Sequence, residues 1–164
     1  MIIWLILVIS FILDNIFSML IPINSFLLPL FTLMSLVIIY PFFKDKGRKY
    51  LSACFFTGMA YDLIYTDTIL IHAFIFLMIG LLIINLNRLL SSNHVSVMFI
   101  GLVVVIFYRV IMYLFLVISN TVSFDLLGLL ASIYNSLIAN TIYILLLSII
   151  TDIISHKYKI RKIV

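Results

Sequence analysis

Apolar residues run along the chain in six long segments that are separated by short polar stretches. A helix that crosses the hydrocarbon core of a bilayer needs about 20 mostly apolar residues. The segments that approach this length are about 2–21, 26–43, 50–65, 69–86, 95–119 and 126–154. The pattern therefore predicts an all-α integral membrane protein, with six transmembrane helices in a single transmembrane domain over residues 1–164.

The composition supports a chain that is solvated by lipid. Hydrophobic residues make up 66% and charged residues 10% of the sequence, whereas a soluble domain has about 45–50% and about 25%. A water-soluble fold of this size could not cover so much apolar surface. The first segment has no basic residues before it and no small-residue cleavage site, so we expect a retained helix instead of a signal peptide.

The basic residues alternate between the polar stretches. Nine of the ten Lys and Arg residues fall in 44–49, 87–94 and 157–162, and none falls in 22–25, 66–68 or 120–125. Because cytoplasmic loops are enriched in Lys and Arg, this alternation predicts that both termini lie in the cytoplasm. In the alternative with five spans, residues 50–86 form a re-entrant pair, and the basic tail would then lie on the opposite side.

Three ionisable residues fall inside predicted spans, where they are costly and mark function by default. At 1.5 Å per helical residue, Asp14, Asp62 and Arg109 lie about 20, 18 and 21 Å from the cytoplasmic ends of their helices. Asn140 lies at about 18 Å in the sixth helix. We expect a polar cluster in which the acids pair with Arg109. Three roles are possible for this cluster: it fixes the register of the helices, it contacts a partner or substrate, or it forms part of an ion pathway.

Motifs for catalysis or cofactor binding are absent from the sequence. There is no Glu, no nucleotide-binding or hydrolase motif, and one cysteine, Cys54, which excludes an intrachain disulfide. His72 has no second His or Cys near it in sequence, so no metal site is predicted. Asp14, Asp62 and His72 show no nucleophile–base spacing that would favour a membrane-embedded enzyme. We predict no enzyme activity, no cofactor and no nucleic-acid partner, and we expect the basic tail to contact lipid head groups.

The stretch Gly58-Met59-Ala60-Tyr61-Asp62-Leu63 resembles the G-x-x-Y-D-[LM] signature of the bacterial rod shape-determining protein family MreD. Chain length, extreme apolarity and the central position of the signature also agree with this family. The general layout covers nearly the whole chain, and similarity at the level of residues covers about 55–80. This sequence departs from the family pattern at one point. The family commonly has a Leu-Gly pair a few residues after the signature, whereas here no glycine occurs until Gly80. The geometry of the turn between helices 3 and 4 therefore stays open.

The resemblance implies a non-catalytic scaffold in the bacterial cytoplasmic membrane, with a fold similar to the six-helix substrate-binding subunit of energy-coupling-factor vitamin transporters. The implied partner is MreC, in a larger complex with MreB, RodA and a class B penicillin-binding protein that directs cell-wall synthesis. On this interpretation the candidate partner-binding residues are Gly58, Tyr61, Asp62 and Tyr65. The alternative is that the chain is itself a vitamin-binding transporter subunit, although its outer loops are short for that role.

Overall fold

The computed structural model of the protein describes residues 2–20, 29–43, 46–65, 70–90 and 93–157. Within these ranges the regular elements are α1 (Ile2–Leu20), α2 (Phe31–Ile39) with a 3-10 turn at Tyr40–Phe43, α3 (Gly47–Tyr65), α4 (Ile71–Leu89), α5 (His94–Ile118) and α6 (Leu126–Lys157). The predicted all-helical class is confirmed. The predicted outer stretches 22–25 and 66–68 and the basic tail after residue 157 lie outside the described residues.

Among the residues that the structure describes, four helices are long and apolar enough to cross a bilayer: Ile3–Leu20, Ile71–Leu89, His94–Ile118 and Leu126–Ser155. The chain is therefore a multi-pass membrane protein. The helix α3 has 19 residues but carries Arg48, Lys49 and Asp62. The apolar helix Phe31–Phe43 is shorter than a usual span. The number of six spans stays a prediction.

The short helix α2 forms the centre of the bundle. All nine of its residues are buried, and it packs against α1, α4, α5 and α6. A helix that is hydrophobic on every side is suited to such a position. Beside it, α3 packs along α4 and α5 packs along α6. The helix begins at Phe31, later than residue 26 in the predicted span, after the non-helical residues Pro29 and Leu30.

The outward faces of the bundle carry large apolar side chains. Leu63 is 79% exposed, Leu127 is 76% exposed and Trp4 is 55% exposed. Lipid tails are as apolar as leucine, so these side chains lose nothing by facing the bilayer. The exposed apolar surface is therefore the surface expected of a protein that lipid surrounds.

The entry into α4 is made without glycine. Leu70, the residue before the helix, has φ of 67° and lies in the left-handed region. This conformation costs a non-glycine residue about 1–2 kcal/mol. The chain thus enters α4 through a strained leucine, and the rest of the turn between α3 and α4 lies outside the described residues.

Candidate functional site

Asp62 on α3 binds the first turn of α4. Its carboxylate is 3% exposed and accepts hydrogen bonds from the backbone N–H groups of His72 and Ala73, each at 3.1 Å. The Oδ1 atom also lies 2.8 Å from Nδ1 of His72. The N-cap residue, Leu70, makes no side-chain capping bond. The carboxylate therefore takes the place of a local cap, at the end of the helix where the dipole favours negative charge.

Gly58 lies one helical turn before Asp62 and lets the two backbones meet. A Cβ atom at this position would lie 2.5 Å from the carbonyl oxygen of His72 and 2.6 Å from Cα of Ala73. Such distances are below van der Waals contact, and small residues at membrane helix interfaces permit this kind of close approach. Gly58 thus brings α3 against α4, and Asp62 binds the helix start that comes within reach.

Asp14 on α1 binds the start of α2 in the same way. Its Oδ1 accepts a hydrogen bond from the N–H of Phe31 at 2.7 Å, and its Oδ2 accepts one from Thr32 at 2.8 Å. The preceding N–H, that of Leu30, donates to Oδ1 of Asn140 at 2.8 Å. Leu30 is the N-cap residue and makes no side-chain capping bond. Because lipid offers no acceptor, these buried N–H groups need partners within the protein.

Side chains of α6 complete the attachment of α1 and α2. The hydroxyls of Ser10 and Tyr143 lie 2.7 Å apart, and the ring of Tyr143 packs against Phe31 with centroids 4.2 Å apart. Nε of Arg109 donates to Oγ of Ser136 at 2.6 Å, which connects α5 to the same face of α6. The polar side chains of α6 therefore connect three other helices.

An aromatic wall, formed by Phe11, Tyr65, Tyr61, His72 and Tyr108, runs from α1 through α3 and α4 to α5. Successive ring centroids are separated by 4.9, 4.6, 4.9 and 6.2 Å. The hydroxyl of Tyr65 donates to the carbonyl oxygen of Phe11 at 2.6 Å. The carboxylate of Asp62 holds the His72 ring within this wall.

The wall borders a polar cavity of about 320 Å³. This polar cavity is lined by Asp14, Ser18, Pro29, Leu30, Tyr61, Tyr65, His72, Tyr108, Arg109 and Met112. Two of the three ionisable residues that were predicted to meet, Asp14 and Arg109, thus line one cavity. Asp62 is bonded to the His72 ring that lines it. Pairing of the acids with Arg109 stays a prediction.

A second opening, the apolar groove, has a volume of about 280 Å³ and lies between α1 and α3. The apolar groove is lined by Trp4, Leu7, Val8, Phe11, Ile12, Phe56, Thr57 and Ala60. It shares no lining residue with the polar cavity. The contact of Phe11 with Tyr61 and Tyr65 separates the two openings.

The four candidate partner-binding residues lie in different surroundings. Gly58 and Asp62 face α4 and are buried by it. Tyr61 and Tyr65 line the polar cavity. Neither His72 nor Tyr108 was predicted to be a site residue, although His72 follows the signature aspartate by only ten residues. Within the described ranges, no group of three or more His, Cys, Asp or Glu side chains is placed to hold a metal ion.

Comparison with known proteins adds one finding. A protein-family model described as rod shape-determining protein MreD matches residues 1–157. The matched range contains the six α-helices found among the described residues. No individual curated protein and no solved structure matches the chain at a significant level.

Proposed function

The chain belongs to the MreD family of rod shape-determining proteins, and we propose that it acts as a non-catalytic scaffold of the elongation complex in the bacterial cytoplasmic membrane. On this proposal it binds the membrane helix of MreC and, through MreC, joins a larger complex with MreB, RodA and a class B penicillin-binding protein. The family is a shape-determining one that is not known to be enzymatic. The family match favours this scaffold over a vitamin-binding transporter subunit.

The observation that carries the proposal is the apolar groove between α1 and α3. Its lining is almost entirely apolar, and on the α3 side it includes the small side chains of Thr57 and Ala60. Small residues of this kind let a partner helix approach closely in a membrane. Gly58 and Asp62 fix the position of α3 against α4 from the opposite side. The signature residues Gly58 and Asp62 thus support the proposed binding surface without lining it.

We expect Ala60→Trp to abolish stable binding of MreC. The indole would occupy the apolar groove and displace the side chains of the partner helix. Loss of well-packed apolar contacts of this kind costs about 2 kcal/mol or more, which corresponds to a decrease of about thirtyfold in affinity. Co-purification of tagged MreC with the full-length protein in mild detergent measures this loss.

Leu63→Trp is the matched control, because it adds the same ring to α3 at a residue that is 79% exposed to lipid. This variant should recover MreC at the level of the unmodified protein. Both variants should reach the membrane in equal amounts. If Ala60→Trp recovers as much MreC as the unmodified protein does, the apolar groove is not the surface that binds MreC. The proposal in its present form would then be wrong.

We also propose that both termini are cytoplasmic, and cysteine labelling tests this topology. The natural cysteine, Cys54, is buried, so its background reaction with a maleimide should be low. Ser123 lies in the exposed turn between α5 and α6, and Lys46 is exposed just before α3. We expect a membrane-impermeant maleimide to label Ser123→Cys in intact cells and to leave Lys46→Cys unlabelled.

Opening the cells provides the control for this labelling. Lys46→Cys should react once the inner face of the membrane is accessible, which shows that its thiol is not hidden by the fold. Labelling of Lys46→Cys from outside intact cells would reverse the proposed orientation.

A further inference from the structure

The polar cavity combines two opposite charges with a wall of aromatic rings, and we propose that it binds a small zwitterion. The cationic group of this ligand lies beside Asp14 and the tyrosine rings, and its anionic group lies beside Arg109. The ligand is either the head group of a zwitterionic phospholipid or a free small zwitterion of the same chemistry. This site is separate from the apolar groove, since the two share no lining residue.

The negative end of the site is Asp14. Each of its two oxygens already accepts one backbone N–H from α2. A carboxylate offers about four acceptor positions, so two N–H groups leave capacity for a ligand donor. An ammonium group placed there would also balance a carboxylate that is 4% exposed, where an unbalanced charge is expensive.

The aromatic residues also favour a cation in the polar cavity. Tyr61, Tyr65 and Tyr108 line the polar cavity together with the His72 ring. Tyrosine rings attract ammonium groups, and the attraction is stronger where water is excluded. Aromatic rings beside a carboxylate are a common arrangement for binding substituted ammonium groups.

The positive end of the site is Arg109. Its guanidinium is held from one side by the bond from Nε to Ser136, and it contacts the ring of Tyr108 at 5.9 Å from the centroid. Arginine stays charged and its planar donors match phosphate and carboxylate groups. A simple cation would be repelled here and a simple anion would be repelled by Asp14. A ligand that carries both charges is attracted by both residues.

The size of the polar cavity limits the ligand. A volume of about 320 Å³ corresponds to about ten water molecules at about 30 Å³ each. It lies at the lower end of the range for small-molecule pockets. A phosphoethanolamine group or an amino-acid zwitterion fits this volume, whereas the acyl chains of a lipid would have to stay outside.

Native mass spectrometry of the full-length protein in detergent tests the proposal. The probes are phosphatidylethanolamine, its soluble head group glycerophosphoethanolamine, and phosphatidylglycerol, which carries only the negative charge. We expect a complex with one zwitterion and no comparable complex with phosphatidylglycerol. Binding of the lipid alone identifies a head-group site, and binding of the soluble compound as well identifies a site for free zwitterions.

Two variants test the location. Arg109→Gln should weaken zwitterion binding by about tenfold, the effect of about 1.4 kcal/mol from one lost charge-assisted contact, and Arg109→Lys should restore most of it. Met112→Trp fills the polar cavity without changing a charge and should prevent binding even if Arg109→Gln fails to fold. Leu114→Trp is its control, because it adds the same ring to α5 at a residue that is 47% exposed and does not line the polar cavity, and it should bind like the unmodified protein. Equal binding of phosphatidylglycerol and phosphatidylethanolamine, or unchanged binding by Met112→Trp, would overturn the proposal.

Discussion

Gly58→Ala is expected to destabilise the protein by about 3 kcal/mol, the upper end of the usual cost of adding a methyl group to a packed interior. The added Cβ would lie 2.5 Å from the His72 carbonyl oxygen and 2.6 Å from the Cα of Ala73. Both atoms belong to the backbone of α4, so no side-chain rotation can make room and the helices must separate. For a chain of this length the loss corresponds to a melting temperature about 6–12 °C lower, which thermal denaturation in detergent measures.

Gly47→Ala is the matched control, because a Cβ atom at Gly47 would meet nothing within 4 Å. Gly47 begins α3, the same helix that contains Gly58. This variant should melt within a degree or two of the unmodified protein or slightly above it, since alanine favours helix over glycine by about 1 kcal/mol. Equal melting temperatures for the two variants would contradict the close contact of α3 and α4.

Asp14→Ala is expected to destabilise the protein by about 2–6 kcal/mol, because it leaves two buried N–H groups of α2 without an acceptor at about 1–3 kcal/mol each. These groups belong to Phe31 and Thr32, and the helix that they begin is buried along its whole length. Phe31 is 6% exposed and Thr32 is 1% exposed, so water reaches their N–H groups poorly after the substitution. The expected result is a lower melting temperature and a smaller monodisperse fraction in size-exclusion chromatography.

Asp125→Ala separates the effect of burial from the effect of capping. Asp125 also accepts hydrogen bonds from two backbone N–H groups, those of Leu127 and Gly128 at the start of α6. It is exposed, so water can replace it, and its loss should cost only about 1 kcal/mol. Similar losses for the two alanine variants would show that Asp14 contributes no more than an ordinary surface cap.

The helices themselves were largely predictable from the sequence. Long apolar segments with few charges form helices in lipid because each backbone polar group then finds its partner within the segment. The bounds of α1, α5 and α6 lie within a few residues of the predicted segments. The segment 26–43 was less predictable, because hydropathy does not distinguish an apolar helix from the non-helical residues Pro29 and Leu30 before it.

The polar site was predictable only in part. The cost of burying charge identified Asp14, Asp62 and Arg109 as unusual, and it predicted that the acids pair with Arg109. It did not predict that both aspartates accept hydrogen bonds from backbone N–H groups at the start of the following helix. A clue exists in the sequence: α2 and α4 begin after Leu30 and Leu70, which cannot cap a helix. The uncapped backbone N–H groups at such a helix start within a membrane require acceptors from elsewhere in the chain.

The aromatic wall and the polar cavity could not be predicted from the sequence. Most of their residues come from four helices, and they meet through the packing of these helices with one another. Helical spacing shows which residues share a face of one helix, but it does not show which faces meet. Tyr108 illustrates this, since nothing in its immediate sequence marks it as a neighbour of His72.

The hydrogen bond between Leu30 and Asn140 joins residues 110 positions apart, and it has a consequence for biogenesis. Chains emerge from the ribosome with the N-terminal part first, so α2 is synthesised long before its acceptor on α6. Until the last helix enters the bilayer, the N–H of Leu30 lacks this partner and the central helix is incompletely anchored. A nascent chain that stops before residue 140 should therefore be recognised by membrane proteases, while the finished chain escapes them.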